Sequence, residues 1–76
     1  MSISVIDEVA LRRILPAPER RKAIRESAGV SQARVGAEVG VSGQAVAWWE
    51  QGRSEPRGEH LPAYVALLAQ LEGASE

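Results

Sequence analysis

The chain has 76 residues, of which 45% are hydrophobic and 25% charged, and its formal net charge is -1. This composition describes one small globular domain and excludes a disordered chain, and the lack of cysteine excludes disulfides and thiolate metal sites. The longest apolar run, Ala63 to Ala69, is too short to span a bilayer, and a sequence pI of about 5.8 argues against nucleic acid as a partner.

Five short helices are predicted, and no strand, because no segment alternates with a period of two. The first helix is expected to begin at a capping box of Ser4 and Asp7 and to end near Ile14, because Leu15 precedes Pro16. Acidic residues so close to the start also argue against a signal peptide. The apolar residues of this helix are expected to cover the second helix, with a dimer surface as the alternative. They are Ile6, Val9, Ala10, Leu11 and Ile14.

The second helix is predicted to begin at Pro18, which fits a first helical position, and to run to Ala28. Gly29 is expected to stop it in a left-handed conformation. Arg21 and Arg25 share one face, since they are four residues apart. Half of the basic run in this helix is expected to be solvated, while the rest could contact an anionic partner. The run consists of Arg20, Arg21, Lys22 and Arg25.

The third and fourth helices have one design, in which an apolar residue precedes a serine N-cap and another apolar residue follows the cap by four positions. The two copies are Val30-Ser31-Val35 and Val41-Ser42-Val46. Gly40 lies between them, so the third helix must end by Val39 and the chain must turn sharply. The fourth helix extends from Ser42 to Gln51 and ends at Gly52. Two helices joined by a short turn with a glycine form a helix-turn-helix.

The fifth helix follows a loop with proline and glycine, residues 53–58, and is predicted from about Glu59 to Glu72. Pro62 is compatible with this helix because it falls in the first turn. An apolar stripe with the helical period indicates the buried face. It consists of Leu61, Val65, Leu68 and Leu71 or Glu72.

No part of the sequence has the pattern of an enzyme. It has one histidine, His60, and lacks a glycine-rich phosphate loop, a metal-spaced cluster and a carboxylate pair in a plausible cleft. His60 falls in the first turn of the fifth helix, where a lone histidine is expected to be structural or to face solvent. We therefore expect no catalytic residue, no metal, no cofactor and no small-molecule substrate.

The helix-turn-helix has a specific spacing when residues are counted from Gln32. Gly36 stands at the fifth position, where a large side chain would keep the helices apart, and Gly40 at the ninth, where the turn needs a positive φ. Apolar residues occupy the fourth, eighth, tenth, fifteenth and eighteenth positions, which are Val35, Val39, Val41, Val46 and Trp49. The pattern resembles the lambda-repressor/Cro-like (XRE-like) family. The supporting runs are Gly29-Val30-Ser31-Gln32, Gly40-Val41-Ser42 and Trp49-Glu50-Gln51-Gly52-Arg53.

This resemblance covers residues 18–72 and implies an all-α, five-helix lambda-repressor-like domain with a central helix-turn-helix. The whole chain is then interpreted as a single domain in which residues 1–17 add a helix and linker and residues 73–76 form a tail. The family likeness implies that the fourth helix enters the major groove of double-stranded DNA while the third crosses the phosphate backbone. The implied function is that of a sequence-specific transcriptional regulator, a small cytoplasmic repressor of bacterial or phage type that binds DNA as a homodimer.

The outward face of the fourth helix is the predicted reading surface. At about 100° per residue, Val46 and Trp49 point to the core, and Gln44 and Gln51 lie opposite them. Gln44 suits adenine, because its amide can accept a hydrogen bond from N6 and donate one to N7. Including positions implied by the resemblance, the predicted base contacts are Gly43, Gln44, Ala47 and Trp48. Two adjacent tryptophans cannot both face the core, so Trp48 is expected to be partly exposed.

Residues beside this helix are predicted to contact the DNA backbone. Gln32 and Ser42 lie at helix N-termini, where free N–H groups favour a phosphate, and the resemblance implies that Gln32 also touches Gln44. Arg53 and Arg57 lie in the loop beyond the fourth helix. The predicted backbone contacts are Gln32, Arg34, Ser42, Gln51, Arg53 and Arg57.

An alternative function is a protein-interaction adaptor that uses the helix-turn-helix surface around Trp48. The low pI and the acidic ends of the chain favour this alternative. Against it, residues 12–57 contain all nine basic residues and five acidic ones, so the middle of the chain carries +4 and its flanks carry -5. The dimer interface is not determined by the sequence, and Tyr64, Leu67 and the first helix are the candidates.

Overall fold

The computed structural model describes residues 4–74, and within them the five predicted helices are confirmed, with no strand. They are α1 Val5–Ile14, α2 Pro18–Ser27, α3 Gln32–Val39, α4 Gly43–Gln51 and α5 His60–Ala74. The helix α5 continues beyond its predicted end near Glu72, so Gly73 and Ala74 of the expected tail are helical. The other two tail residues, 75–76, lie outside the described residues, as do residues 1–3. No helix in the described range is both long and apolar enough to cross a membrane.

Three of the helices begin at serine caps, as the sequence predicts. The hydroxyl oxygens of Ser4, Ser31 and Ser42 each accept a hydrogen bond of 3.1 Å from the backbone N–H three residues later. The helix α2 begins instead at Pro18, which needs no N–H partner in the first turn. Capping chemistry in the sequence therefore determines where these helices start.

The core forms where α4 and α5 pack between α2 and α3. The predicted inward face of α4 is confirmed, because Val46 and Trp49 are both buried. The rings of Trp49 and Tyr64 pack with centroids 4.8 Å apart at 46°. On α5 the predicted Leu61 and Leu68 are buried. Tyr64 is also buried and is therefore not available as the dimer contact that the sequence suggested.

The expected role of α1 is wrong. This helix packs against α5 rather than α2, and none of its residues is fully buried. Its apolar residues are spread around the helix, so Ile6 is 82% exposed while Leu11 is half-buried. The cover for α2 comes from α4 and α5. An apolar surface that includes Val5, Ile6, Val9 and Ile14 thus faces away from the rest of the molecule.

Replacement of Tyr64 by phenylalanine is expected to leave the stability at pH 7 unchanged or slightly higher. The buried Tyr64 hydroxyl has no hydrogen-bond partner within residues 4–74, so its removal breaks no bond. Burial, with a smaller contribution from nearby Glu50, raises the pKa of Tyr64 to about 12. Since the phenol titrates near pH 10 in an unfolded chain, its ionisation does not affect stability below pH ~10, but it favours the unfolded state increasingly as the pH rises from ~10 towards 12.

Urea unfolding of both proteins at pH 7 and pH 11 measures this effect. The wild-type free energy of unfolding should decrease more between the two pH values than that of Tyr64→Phe. An equal decrease in both proteins would show that Tyr64 does not hold its proton in the folded state.

Candidate nucleic-acid interface

The close crossing of α3 and α4 depends on Gly36. A Cβ atom at this position would lie 2.6 Å from the Val41 carbonyl oxygen and 2.9 Å from the Ser42 carbonyl, which are rigid backbone atoms. The Gly36 carbonyl also accepts hydrogen bonds of 2.8 Å from the N–H groups of Gly40 and Val41. The turn between the helices therefore lies directly on α3, as the spacing predicts.

The turn itself uses Gly40, which has φ of 95° and so confirms the predicted positive φ. The next residue but one, Ser42, then caps α4 by accepting from the Ala45 N–H. The first residue of α4, Gly43, packs so closely on α3 that a Cβ would lie 3.0 Å from the Ala33 Cα. This close packing explains why position 43 is a glycine. Because glycine has no side chain, Gly43 could contact a base only through its backbone.

The helix α4 presents a clearly two-sided surface. Trp49 is 4% exposed and the adjacent Trp48 is 42% exposed, which decides which of the two tryptophans belongs to the core. Gln44 and Gln51 are exposed, and Ala47 is half-buried between the two faces. The outward surface thus bears two amides, an indole and small residues rather than long charged side chains.

A buried ion pair that the sequence analysis missed connects α4 to α2 and α3. The Arg25 guanidinium donates to the two Glu50 carboxylate oxygens at 2.6 and 3.0 Å and to the Val30 carbonyl at 2.9 Å. The hydrogen bond to Glu50 raises the pKa of Arg25, although burial opposes it. The Gln32 amide donates to Glu50 at 3.1 Å, so its partner is Glu50 rather than the expected Gln44. The only sequence signal was a charged residue directly after the core residue Trp49.

Arg21 makes a second internal connection and is 4% exposed. Its guanidinium donates to the Pro16 carbonyl at 2.7 Å and the Trp49 carbonyl at 2.9 Å, and it forms an ion pair of 3.1 Å with Glu55. Arg20 pairs with Glu72 of α5. Three of the four residues in the basic run of α2 therefore have partners within the molecule, and only Lys22 is exposed without a partner in the described range.

Three arginines near α4 remain available to an external anion. Arg34 in the first turn of α3 and Arg53 and Arg57 in the loop after α4 are exposed. None of the three forms a side-chain hydrogen bond or ion pair within residues 4–74. All three are among the predicted phosphate contacts. Arg34 precedes α4 in the chain, and the other two follow it. Ser42 and Gln51 are also exposed at the two ends of α4.

The single histidine has a structural environment. Its Nδ1 atom lies 3.4 Å from the Val39 carbonyl oxygen, and its ring is next to the turn glycine, Gly40. His60, the first residue of α5, therefore contacts the C-terminal end of α3. In the part of the chain that the structure describes, no three histidine, aspartate or glutamate side chains are grouped closely enough to hold a metal ion.

Comparison with known proteins identifies a family and a relative of this chain. The family model of the helix-turn-helix domain matches residues 22–76. Repressor protein C2 of Salmonella phage P22 is 44% identical over 50 residues, which make up 66% of this chain and 23% of that protein. The chain therefore spans about a quarter of the length of this relative, which is larger than a helix-turn-helix domain. No solved structure matches the chain.

Proposed function

Because the chain belongs to the helix-turn-helix domain family, we propose that it is a sequence-specific DNA-binding transcriptional repressor that reads the major groove with α4. The phage repressor that resembles it supports repression as the direction of control. We propose that the chain represses by occupying its site and blocking polymerase. Bacterial DNA lies in the cytoplasm, which is where we place this action.

The outward face of α4 is the observation that carries the proposal. An α-helix fits the major groove of B-DNA, where side chains read the bases through hydrogen bonds and through apolar contact with the thymine methyl group. Gln44 in the first turn and Ala47 and Trp48 in the second are available for such contacts. On the opposite face of the helix, Val46 and Trp49 are buried in the core. We propose Gln44 as the principal base contact, with Gly43 contributing through its backbone.

The free arginines support a backbone clamp around this helix. We propose that Arg34 binds one phosphate from α3 and that Arg53 and Arg57 bind others from the loop, with the exposed Ser42 and Gln51 as neutral contacts. Gln32 can donate its second amide hydrogen to a phosphate, since the other already goes to Glu50. The acidic flanks of the chain limit non-specific attraction, so base contacts must supply much of the discrimination.

Selection of bound sequences from a random DNA pool at two salt concentrations tests the proposed function. We expect enrichment of one motif, with the observed binding constant falling by a log–log slope of about -0.9 for each phosphate neutralised. No enrichment at either salt concentration would favour the adaptor, for which the exposure of Trp48 is the supporting observation. A protein partner held by that indole would bind with little dependence on salt.

Replacement of Gln44 by alanine is expected to lower affinity for the selected site by about 1–3 kcal/mol and to relax specificity at one base pair. The physical reason is the loss of a bidentate amide contact with a base edge. Gln70→Ala on α5 removes the same exposed side chain outside the reading surface and should bind like the wild type. Competition against all four bases at each position measures the change. A loss that is uniform over all sequences would make Gln44 a backbone contact.

Replacement of Arg34 by alanine is expected to weaken binding equally on all sequences and to reduce the salt slope by about one unit. One fewer phosphate is neutralised, so one fewer counterion is released. Arg13→Ala is the matched control, because Arg13 is an exposed arginine on α1 without a partner in the described range. Titrations at several salt concentrations should give an unchanged slope for this control. A slope unchanged in Arg34→Ala as well would exclude the proposed phosphate contact.

We further propose that two copies bind half-sites one helical turn apart, because a single module of this size offers a small contact area. With Tyr64 buried, the remaining candidate surfaces are the apolar side of α1 and a groove of about 590 Å³ between α3 and α5. The groove contains the candidate Leu67 together with Leu71. Light scattering of the protein alone and on the selected site would reveal the dimer. Monomers in both conditions would contradict it.

A further inference from the structure

The loop after α4 carries two of the proposed phosphate contacts, but its middle has few backbone bonds of its own. The Arg53 N–H donates to the Trp48 carbonyl at 2.9 Å, and the Arg57 carbonyl accepts from the His60 N–H at 3.1 Å. Between these ends, residues 54–56 form no backbone–backbone hydrogen bond within the described part of the chain. Something other than regular structure must therefore hold the loop in place.

Side chains from the two N-terminal helices hold it. Arg21 of α2 forms an ion pair of 3.1 Å with Glu55, and the next residue, Pro56, is buried. Arg12 of α1 donates to the Pro56 carbonyl oxygen at 3.0 Å. The same nitrogen of Arg12 lies 2.8 Å from a Glu8 carboxylate oxygen one helical turn earlier, which orients the guanidinium towards the loop.

The bond to Pro56 acts directly on Arg57. The Pro56 carbonyl and the Arg57 N–H belong to one planar peptide group. A hydrogen bond to the carbonyl therefore also restricts the orientation of the Arg57 backbone N–H and Cα. A residue whose backbone is already ordered loses less conformational entropy when its side chain binds a phosphate. The helix α1 lies outside residues 22–76, so this connection comes from a part of the chain that the family match does not cover.

We propose that Arg12 is a positioning residue for DNA binding, through which α1 orders the loop and presents Arg57 to the phosphate backbone. This inference rests on the proposed function, because it assigns Arg57 a phosphate. In this proposal Arg12 acts through Arg57 rather than as a phosphate ligand itself, and its Nη2 atom is engaged by both Glu8 and Pro56. The helix α1 thus stabilises the loop that carries part of the DNA interface.

A double-mutant cycle tests the proposal on the full chain and its selected DNA site. Arg12→Met keeps most of the aliphatic stem and removes the donor, and it should weaken binding about three- to tenfold. Arg12→Lys, which can still donate to the Pro56 carbonyl, should recover part of that loss. Arg13→Met removes the same charge from the neighbouring exposed position and should change binding less than twofold.

The decisive comparison is made in an Arg57→Ala background. If Arg12 acts through Arg57, Arg12→Met should cause almost no further loss there, because the side chain that it positions is already gone. Backbone amide order parameters of the free protein should also decrease at Arg57 in Arg12→Met, while those of α4 stay unchanged. Equal losses in both backgrounds would overturn the proposal, and so would an unchanged order parameter at Arg57.

The experiment separates this inference from the proposed function. If the wild-type chain binds no DNA sequence, the proposed function fails and the positioning role fails with it. If the wild type binds and Arg12→Met behaves like Arg13→Met, only the positioning role is overturned.

Discussion

Replacement of Trp49 by alanine is expected to lower the free energy of unfolding by about 3–5 kcal/mol. Trp49 is buried at the centre of the core, where its ring packs on Tyr64 with centroids 4.8 Å apart. Alanine would leave a cavity that the surrounding backbone cannot close. The helix α4 is held at its start by the packing of Gly43 on Ala33 and at its end by the ion pair of Glu50 with Arg25. Small domains have a total stability of about 5–15 kcal/mol, so a loss of this size would remove most of the stability of a domain near the lower end of that range.

The neighbouring tryptophan is a matched control for this substitution. Trp48→Ala removes the same side chain from an exposed position and should change stability by less than about 1 kcal/mol. Urea unfolding followed by circular dichroism measures both variants, and DNA titration of Trp48→Ala then reports on the reading surface alone. A Trp49→Ala protein as stable as the wild type would mean that the inward face of α4 is wrongly assigned.

Replacement of Glu50 by leucine is expected to destabilise the fold by a similar amount, about 3–5 kcal/mol. Glu50 is 7% exposed and balances the charge of Arg25, whose guanidinium donates to both of its carboxylate oxygens. Leucine fills the space but leaves Arg25 with a positive charge and two unused donors in a poorly solvated site. The Gln32 amide also loses its acceptor.

The double variant Arg25→Met with Glu50→Leu should recover most of that stability. Removing both charges abolishes the cost of their desolvation, and apolar side chains of similar volume can replace a buried ion pair with little loss. Chemical denaturation of the wild type, the two single variants and the double variant completes the cycle. Additive losses in the double variant would show that Arg25 and Glu50 do not depend on each other.

The double variant also separates stability from function. The ion pair connects the C-terminal end of α4 to α2, and Gln32 at the start of α3 donates to its carboxylate. If the pair also sets the orientation of α4 over DNA, the double variant should be stable and should still bind its site more weakly than the wild type. Unchanged affinity would limit the pair to a role in stability.

Local features of this fold were predictable because they depend on neighbours in the sequence. The caps at Ser31 and Ser42 need only a backbone N–H three residues away, and Gly40 needs only its own freedom at positive φ. The division of α4 into two faces follows from the helical period, which correctly assigned Trp49 to the core and Trp48 to the surface.

The roles of the charged residues were not predictable in the same way. A run of basic residues in α2 has the same sequence pattern whether its side chains face solvent, DNA or a carboxylate on another helix. In the folded chain Arg21 reaches the Trp49 carbonyl and Arg25 reaches Glu50, residues that are distant in sequence. These partners decide which arginines near α4 remain for an anion, and within residues 4–74 they leave Arg34, Arg53 and Arg57.

The sequence by itself determined the five helices, the Gly-containing turn and the outward surface of α4, since each follows from local bonding or from a period of 3.6 residues. Only the tertiary structure decided that α1 packs on α5, that Tyr64 is buried and that Arg12 reaches the Pro56 carbonyl. The physical reason is that an ion pair or a packed face depends on which distant residue comes within a few ångströms. Helical periodicity identifies the side of a helix that will be covered, but not the element that covers it.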